Sequence, residues 1–165
     1  MRLSRQFGYV LKFLHILGAI GFIGAIASLL VLLRMAAPLS SPVQYTPIYG
    51  AMAEIATWVL YPSMVVTVIA GLLAIAASRA FHNAGWAWVK LATGILVFEG
   101  SLISIIGPIQ EQAKRSAAVL AGQADLAMIA GFDENERLSL WILLVVALAN
   151  VVLGIWRPRL TRIPD

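Results

Sequence analysis

The chain has 165 residues, of which 61% are hydrophobic and 12% charged, with a formal net charge of +4. Soluble domains carry roughly twice that charged fraction, so the composition excludes an ordinary water-soluble fold and points to an integral membrane protein. The absence of cysteine further excludes disulfides, thiolate-held zinc and iron–sulfur clusters.

The apolar segments are continuous rather than alternating, which selects helices over a closed barrel as the spanning structure. The expectation is therefore an all-α, polytopic membrane protein, a four-transmembrane-helix bundle forming one membrane domain over 1–165. The first span is 9–33. Arg2 and Arg5 precede it as they would precede a signal peptide, but the run exceeds the ~7–15 residues of a signal core and no small-residue cleavage site leads into a polar domain. It carries Lys12 and His15 near its start, and Gly18, Gly21, Gly24 and Ala25 as a small-residue face that permits close helix approach.

The stretch 34–53 holds Pro38, Pro42 and Pro47 and reads as an irregular or partly interfacial loop. Glu54 then reads as a solvated helix-start acid. The second span is 54–78, with Pro62 kinking it near one end. A short connection over 79–85, containing His82, makes spans two and three antiparallel neighbours. Span three, 86–107, opens on Trp86 and Trp88 and contains Lys90 and Glu99. Pro108 after Gly107 reads as the first-turn proline of a new helix. That helix, 109–128, is amphipathic and lies in the third loop, with Gln110, Glu111, Lys114 and Arg115 as its polar start. Asp133, Glu134 and Glu136 suit the N-terminal dipole of the fourth span, 138–156.

Arg2, Arg5, Arg79, Arg157, Arg159 and Arg162 flank the spans on one side, and Arg34, Lys114, Arg115 and Arg137 on the other. The bias predicts both termini cytoplasmic, in a multi-pass protein of the inner (cytoplasmic) membrane. Arginines in these positions meet lipid headgroups, and no nucleic-acid partner is expected.

Three polar side chains within the spans are candidate site residues. His15 lies about six residues, or ~9 Å, inside span one, and Lys90 about four residues, or ~6 Å, inside span three from the same side. The two thus converge in one leaflet. His15 has three roles open to it: haem axial ligand, proton relay, or hydrogen-bond partner of a neighbouring helix. Lys90 either snorkels to the interface or supplies a cation to a carboxylate or porphyrin propionate. Glu99, near the midplane and too deep to snorkel, either bonds to a neighbouring helix near Thr67 or Asn150 or carries protons. His82 is a conceivable second axial donor. No hydrolytic triad, phosphate loop or metal cluster is evident, so no catalytic residue is assigned.

The segment Leu11-Lys12-Phe13-Leu14-His15-Ile16-Leu17-Gly18, with Gly24 downstream, and the segment Trp86-Ala87-Trp88-Val89-Lys90-Leu91 resemble the small four-helix membrane proteins of the HemJ and CopD-like group. The closer likeness is to uncharacterised bacterial integral membrane proteins related to that group. The resemblance implies haem b as cofactor, held by His15 on the iron with Lys90 also required. It implies electron transfer or porphyrin chemistry. Two other readings stand beside it: a non-catalytic accessory subunit, as part of a homo-oligomer or a larger membrane complex, and a small transport or proton-handling protein using Glu99.

Overall fold

The computed structural model describes residues 5–36, 41–77, 84–125 and 134–156. These are almost wholly helical, and four helices are long and apolar enough to cross a membrane. The chain is a multi-pass, all-α membrane protein. Helix α1 is Arg5–Ala36. The next rod, Pro42–Ala77, joins α2 (Pro42–Ile55) to α3 (Tyr61–Ala77) through a π-helical turn at Ala56–Leu60. A second rod, Gly85–Leu120, joins α4 (Gly85–Ser101) to α5 (Gly107–Leu120) through a π-turn at Leu102–Ile106. Helix α6 is Glu134–Trp156. The helices alternate in direction, so Arg5, Ala77, Gly85 and Trp156 mark one side of the bundle, called proximal here, and Ala36, Pro42 and Leu120 the distal side.

Two expectations about loops are corrected. The proline-rich stretch after span one is helical from Pro42 onward, and Glu54 lies exposed inside the rod rather than at a helix start. Likewise Pro108 does not begin a separate helix. The amphipathic segment continues the third span without a break and ends at Leu120, where Gly122 turns with φ 71°. A glycine takes that left-handed conformation without the steric penalty of a Cβ. The remainder of 109–128 falls outside the described residues.

The π-turns explain why Pro62 and Pro108 fail to stop the rods. Proline lacks an N–H and its ring collides with the carbonyl four residues back. In each rod the residue before the proline bonds five residues back instead: Tyr61 N–H to the Ala56 carbonyl, and Gly107 N–H to the Leu102 carbonyl. The widened turn shifts the carbonyl register just ahead of Pro62 and Pro108, and the helix resumes. Pro42, by contrast, occupies the first turn of its helix, where an N–H would have no intrahelical acceptor.

The two rods match segment for segment. Each has a 17-residue membrane part, a five-residue π-turn and a 14-residue arm. A rod of 36 residues measures ~54 Å, against a hydrocarbon core of ~30 Å. The arms α2 and α5 therefore project beyond the distal face and pack on each other. Their shared core includes Tyr49, Met52 and Ile109, while Glu111, Lys114 and Arg115 face outward. Glu111 and Arg115 form an exposed ion pair one turn apart, 2.9 Å, which adds little stability. At the π-turn level, Gln110 Nε2 donates to Thr57 Oγ1 across the rods, 3.0 Å.

One apolar cluster holds the distal half together. Phe22, Ala25, Ile26, Leu29 and Leu33 of α1 recur at helical spacing and meet Met52, Ala56, Leu60 and Met64 of the first rod. Ile105, Ile106 and Ile109 and the α6 residues Leu140, Leu143 and Ala147 complete it. Because lipid is as apolar as these side chains, their contribution in the membrane is close packing rather than escape from water. The small-residue face of α1 works the same way, with one exception. A Cβ at Gly18 would collide with Thr67 Oγ1 and lie 2.8 Å from the Ser63 carbonyl, and one at Gly21 would collide with Ser63 Oγ. Gly24 has open space beside it and is not part of the contact.

Candidate functional site

The apolar cluster stops at Phe22 on α1, Met64 on α3 and Ala147 on α6. On the proximal side of that limit Leu11, Ala70 and Ala87 are still buried, but polar groups now stand between the helices. His15 of α1 reaches α3, where its Nδ1 lies 2.8 Å from the Thr67 carbonyl oxygen. A carbonyl only accepts, so Nδ1 carries the proton and donates. Gly71, one turn further along α3, leaves room for the ring: a Cβ there would sit 3.4 Å from Cε1 and Nδ1. The close approach of α1 to α3 at Gly18 is what brings the ring within reach. Thr67 Oγ1 donates to the Ser63 carbonyl one turn back, 2.7 Å.

Lys90 converges on the same region, as its depth in the sequence predicts. Its ammonium lies against α6, where a Cβ on Gly154 would be 2.8 Å from Nζ, and it is an electrostatic neighbour of His15. Lys90 is half-buried, whereas Lys12 is exposed on the outside of α1. Of the two lysines in the membrane parts, then, Lys12 is placed to snorkel and Lys90 is turned into the bundle. Next to it, Thr93 Oγ1 donates to Asn150 Oδ1, 2.8 Å, and Asn150 Nδ2 donates to the Val146 carbonyl, 3.1 Å. This Thr93–Asn150 link between α4 and α6 was not read from the sequence, since neither residue is ionisable and their spacing carries no motif. A double-mutant cycle on Thr93→Ala and Asn150→Ala is expected to give a coupling of about 0.6 kcal/mol, the average for interhelical bonds in membranes, read from unfolding midpoints in detergent.

Glu99 does not join this site. It is exposed on the outer face of α4, without a hydrogen bond or ion pair among the described residues. Its neighbour Gly100 faces the bundle instead, 3.7 Å from Leu143 to a Cβ built on it. Thr67 and Asn150 are engaged by His15 and Thr93, so neither anticipated partner of Glu99 meets it. His82 lies outside the described residues.

Among the described residues no group of three or more histidine or carboxylate side chains could hold a metal ion. A bare ion would find too few donors at His15. A porphyrin iron has four ring nitrogens of its own and asks the protein for an axial donor. The imidazole suits that role: Nδ1–H is anchored on a backbone carbonyl, the arrangement that fixes tautomer and ring orientation in metal-ligating histidines. Nε2 keeps its lone pair in the neutral ring and has no protein hydrogen-bond partner among the described residues.

No protein-family model, curated protein or solved structure matches the chain.

Proposed function

We propose that the proximal half of this bundle binds a b-type haem, whose iron His15 Nε2 would hold and whose carboxylate the Lys90 ammonium would neutralise. The observation that carries the reading is the anchored imidazole. Its Nδ1–H is spent on the Thr67 carbonyl, its Nε2 has no hydrogen-bond partner among the described residues, and the half-buried Lys90 lies on the same side of the bundle. The resemblance of the two segments around His15 and Lys90 to the HemJ and CopD-like proteins supports the same assignment. On the arginine distribution the proximal side is cytoplasmic, in the inner membrane of a bacterium, and the arms face the opposite compartment.

When bound, haem supplies one-electron redox chemistry, and its use is electron transfer or porphyrin oxidation. The chain's own part is to orient the iron ligand through Thr67, to hold a positive charge at Lys90, and to keep the site within the hydrocarbon. Titration of haemin into the detergent-purified protein tests this: a Soret band that saturates at one haem per chain is expected. A chain that leaves haemin in its free spectrum overturns the proposal. Lys90→Gln should still bind but about tenfold more weakly, the scale of one charge-assisted hydrogen bond. An unchanged affinity would remove Lys90 from the site. A proton-handling role for Glu99 has less support, because its carboxyl faces away from the polar interior.

A further inference from the structure

We propose that the outward face of α4 is a self-association surface, on which two copies of the chain meet across a twofold axis along the membrane normal, with Glu99 facing its own counterpart.

Depth comes first. Lys90 beside Gly154, Thr93 beside Asn150 and Gly100 beside Leu143 fix the register of α4 on α6. Glu99 therefore lies level with the residues just past Leu143, about six residues or ~9 Å inside the apolar run that begins at Leu138. Its carboxyl points out of the bundle at that depth. A polar acid presented to hydrocarbon is costly, and such residues almost always face a protein interior or another polar group. Among the described residues no donor reaches it.

The spacing around Glu99 comes second. Trp88, Ala92, Ile95 and Glu99 are all exposed, and they follow one another at intervals of four, three and four. That is the seam of two helices packed at a small crossing angle, in which one polar residue at a seam position sets register and oligomeric state. Ala92 is small, as close approach between membrane helices requires.

The choice of occupant follows from symmetry. Copies of one chain share their orientation in the bilayer, and an axis along the normal puts every residue opposite itself at the same depth. Glu99 then meets Glu99 of the second copy without any other donor being needed. A protonated carboxyl both donates and accepts, so two that face each other in that form satisfy one another. The inference does not rest on haem binding.

The chain has no cysteine, so single thiols report proximity directly. Trp88→Cys and Ala92→Cys, oxidised in membranes, are expected to give disulfide-linked dimers. Trp156→Cys is the control: it lies at the same depth on α6 and is more exposed, 80% against 46% for Trp88, yet should stay monomeric. In the Ala92→Cys background, Glu99→Leu should cut dimer formation several-fold, while Glu99→Gln, whose amides also pair, should retain it. Circular dichroism confirms that each variant is folded. Absence of dimers from Trp88→Cys and Ala92→Cys overturns the proposal, as does equal cross-linking through Trp156→Cys or indifference to Glu99→Leu. A different membrane protein on this face would produce the first of these results.

Discussion

His15→Gly is expected to abolish the haemin Soret shift, and imidazole added to the solution to restore it. The glycine removes the only ligand that the proximal site offers to iron among the described residues, and it opens a ring-sized space against Gly71. Free imidazole entering that space finds the Thr67 carbonyl still in place, so one nitrogen can donate there while the other faces the haem. The expected loss is complete rather than graded, because neither Lys90 nor Thr67 offers a comparable axial donor. Rescue by imidazole separates loss of a ligand from loss of the fold. His15→Gly protein that binds haemin as well as the parent would remove His15 from the assignment.

The second large effect concerns α1 as a whole. Gly18→Leu is expected to unseat α1 from α3, whereas Gly24→Leu should be tolerated. A side chain at Gly18 runs into the Ser63 carbonyl and Thr67 Oγ1. Backbone cannot move aside as the tip of a flexible side chain can, so the helices must part. Overpacking of this kind costs roughly 1–3 kcal/mol and more where backbones touch. The thermal midpoint in detergent should fall by several degrees, and His15 should lose Thr67 as the helices separate, with haemin affinity falling alongside. At Gly24 the same substitution meets open space. Equal destabilisation by both variants would contradict the close α1–α3 approach on which the histidine's orientation depends.

Much of this arrangement is legible in the chain. Four apolar runs of membrane-spanning length announce four helices, and counting residues from their ends brings His15 and Lys90 into one leaflet without knowledge of the packing. What residue counting cannot supply is rotation. Gly18 and Gly24 look equivalent in the sequence, yet Gly18 meets α3 and Gly24 does not, because the partner covers only part of the small-residue face. Glu99 is nine positions from Lys90, and that angle alone separates the two residues without saying which faces the bundle. The packing of α4 on α6 through Gly100 and Leu143 turns Glu99 outward.

The prolines misled for a different reason. Pro62 reads as a kink within span two and Pro108 as the start of a new helix; both mark real disturbances of the helical ladder, but the disturbance at Pro108 is not a terminus. One residue of extra width in the preceding turn absorbs each, and the rods continue into arms that hydropathy reads as loop or as a detached helix. The Thr67 carbonyl is the deepest omission, since a backbone acceptor for His15 has no signature in any side chain. Its presence narrows the chemistry of the imidazole to a single open nitrogen.

Haem binding at His15 is tested by the absorption spectrum of the protein purified in detergent from the membranes of cells supplied with haem precursor, air-oxidised and then reduced with dithionite. A Soret band that shifts on reduction is expected, with the sharpened α and β bands of a b-type haem. A colourless protein that also leaves added haemin unbound would contradict it, and His15 would then stand as an interhelical hydrogen-bond partner in a structural membrane subunit.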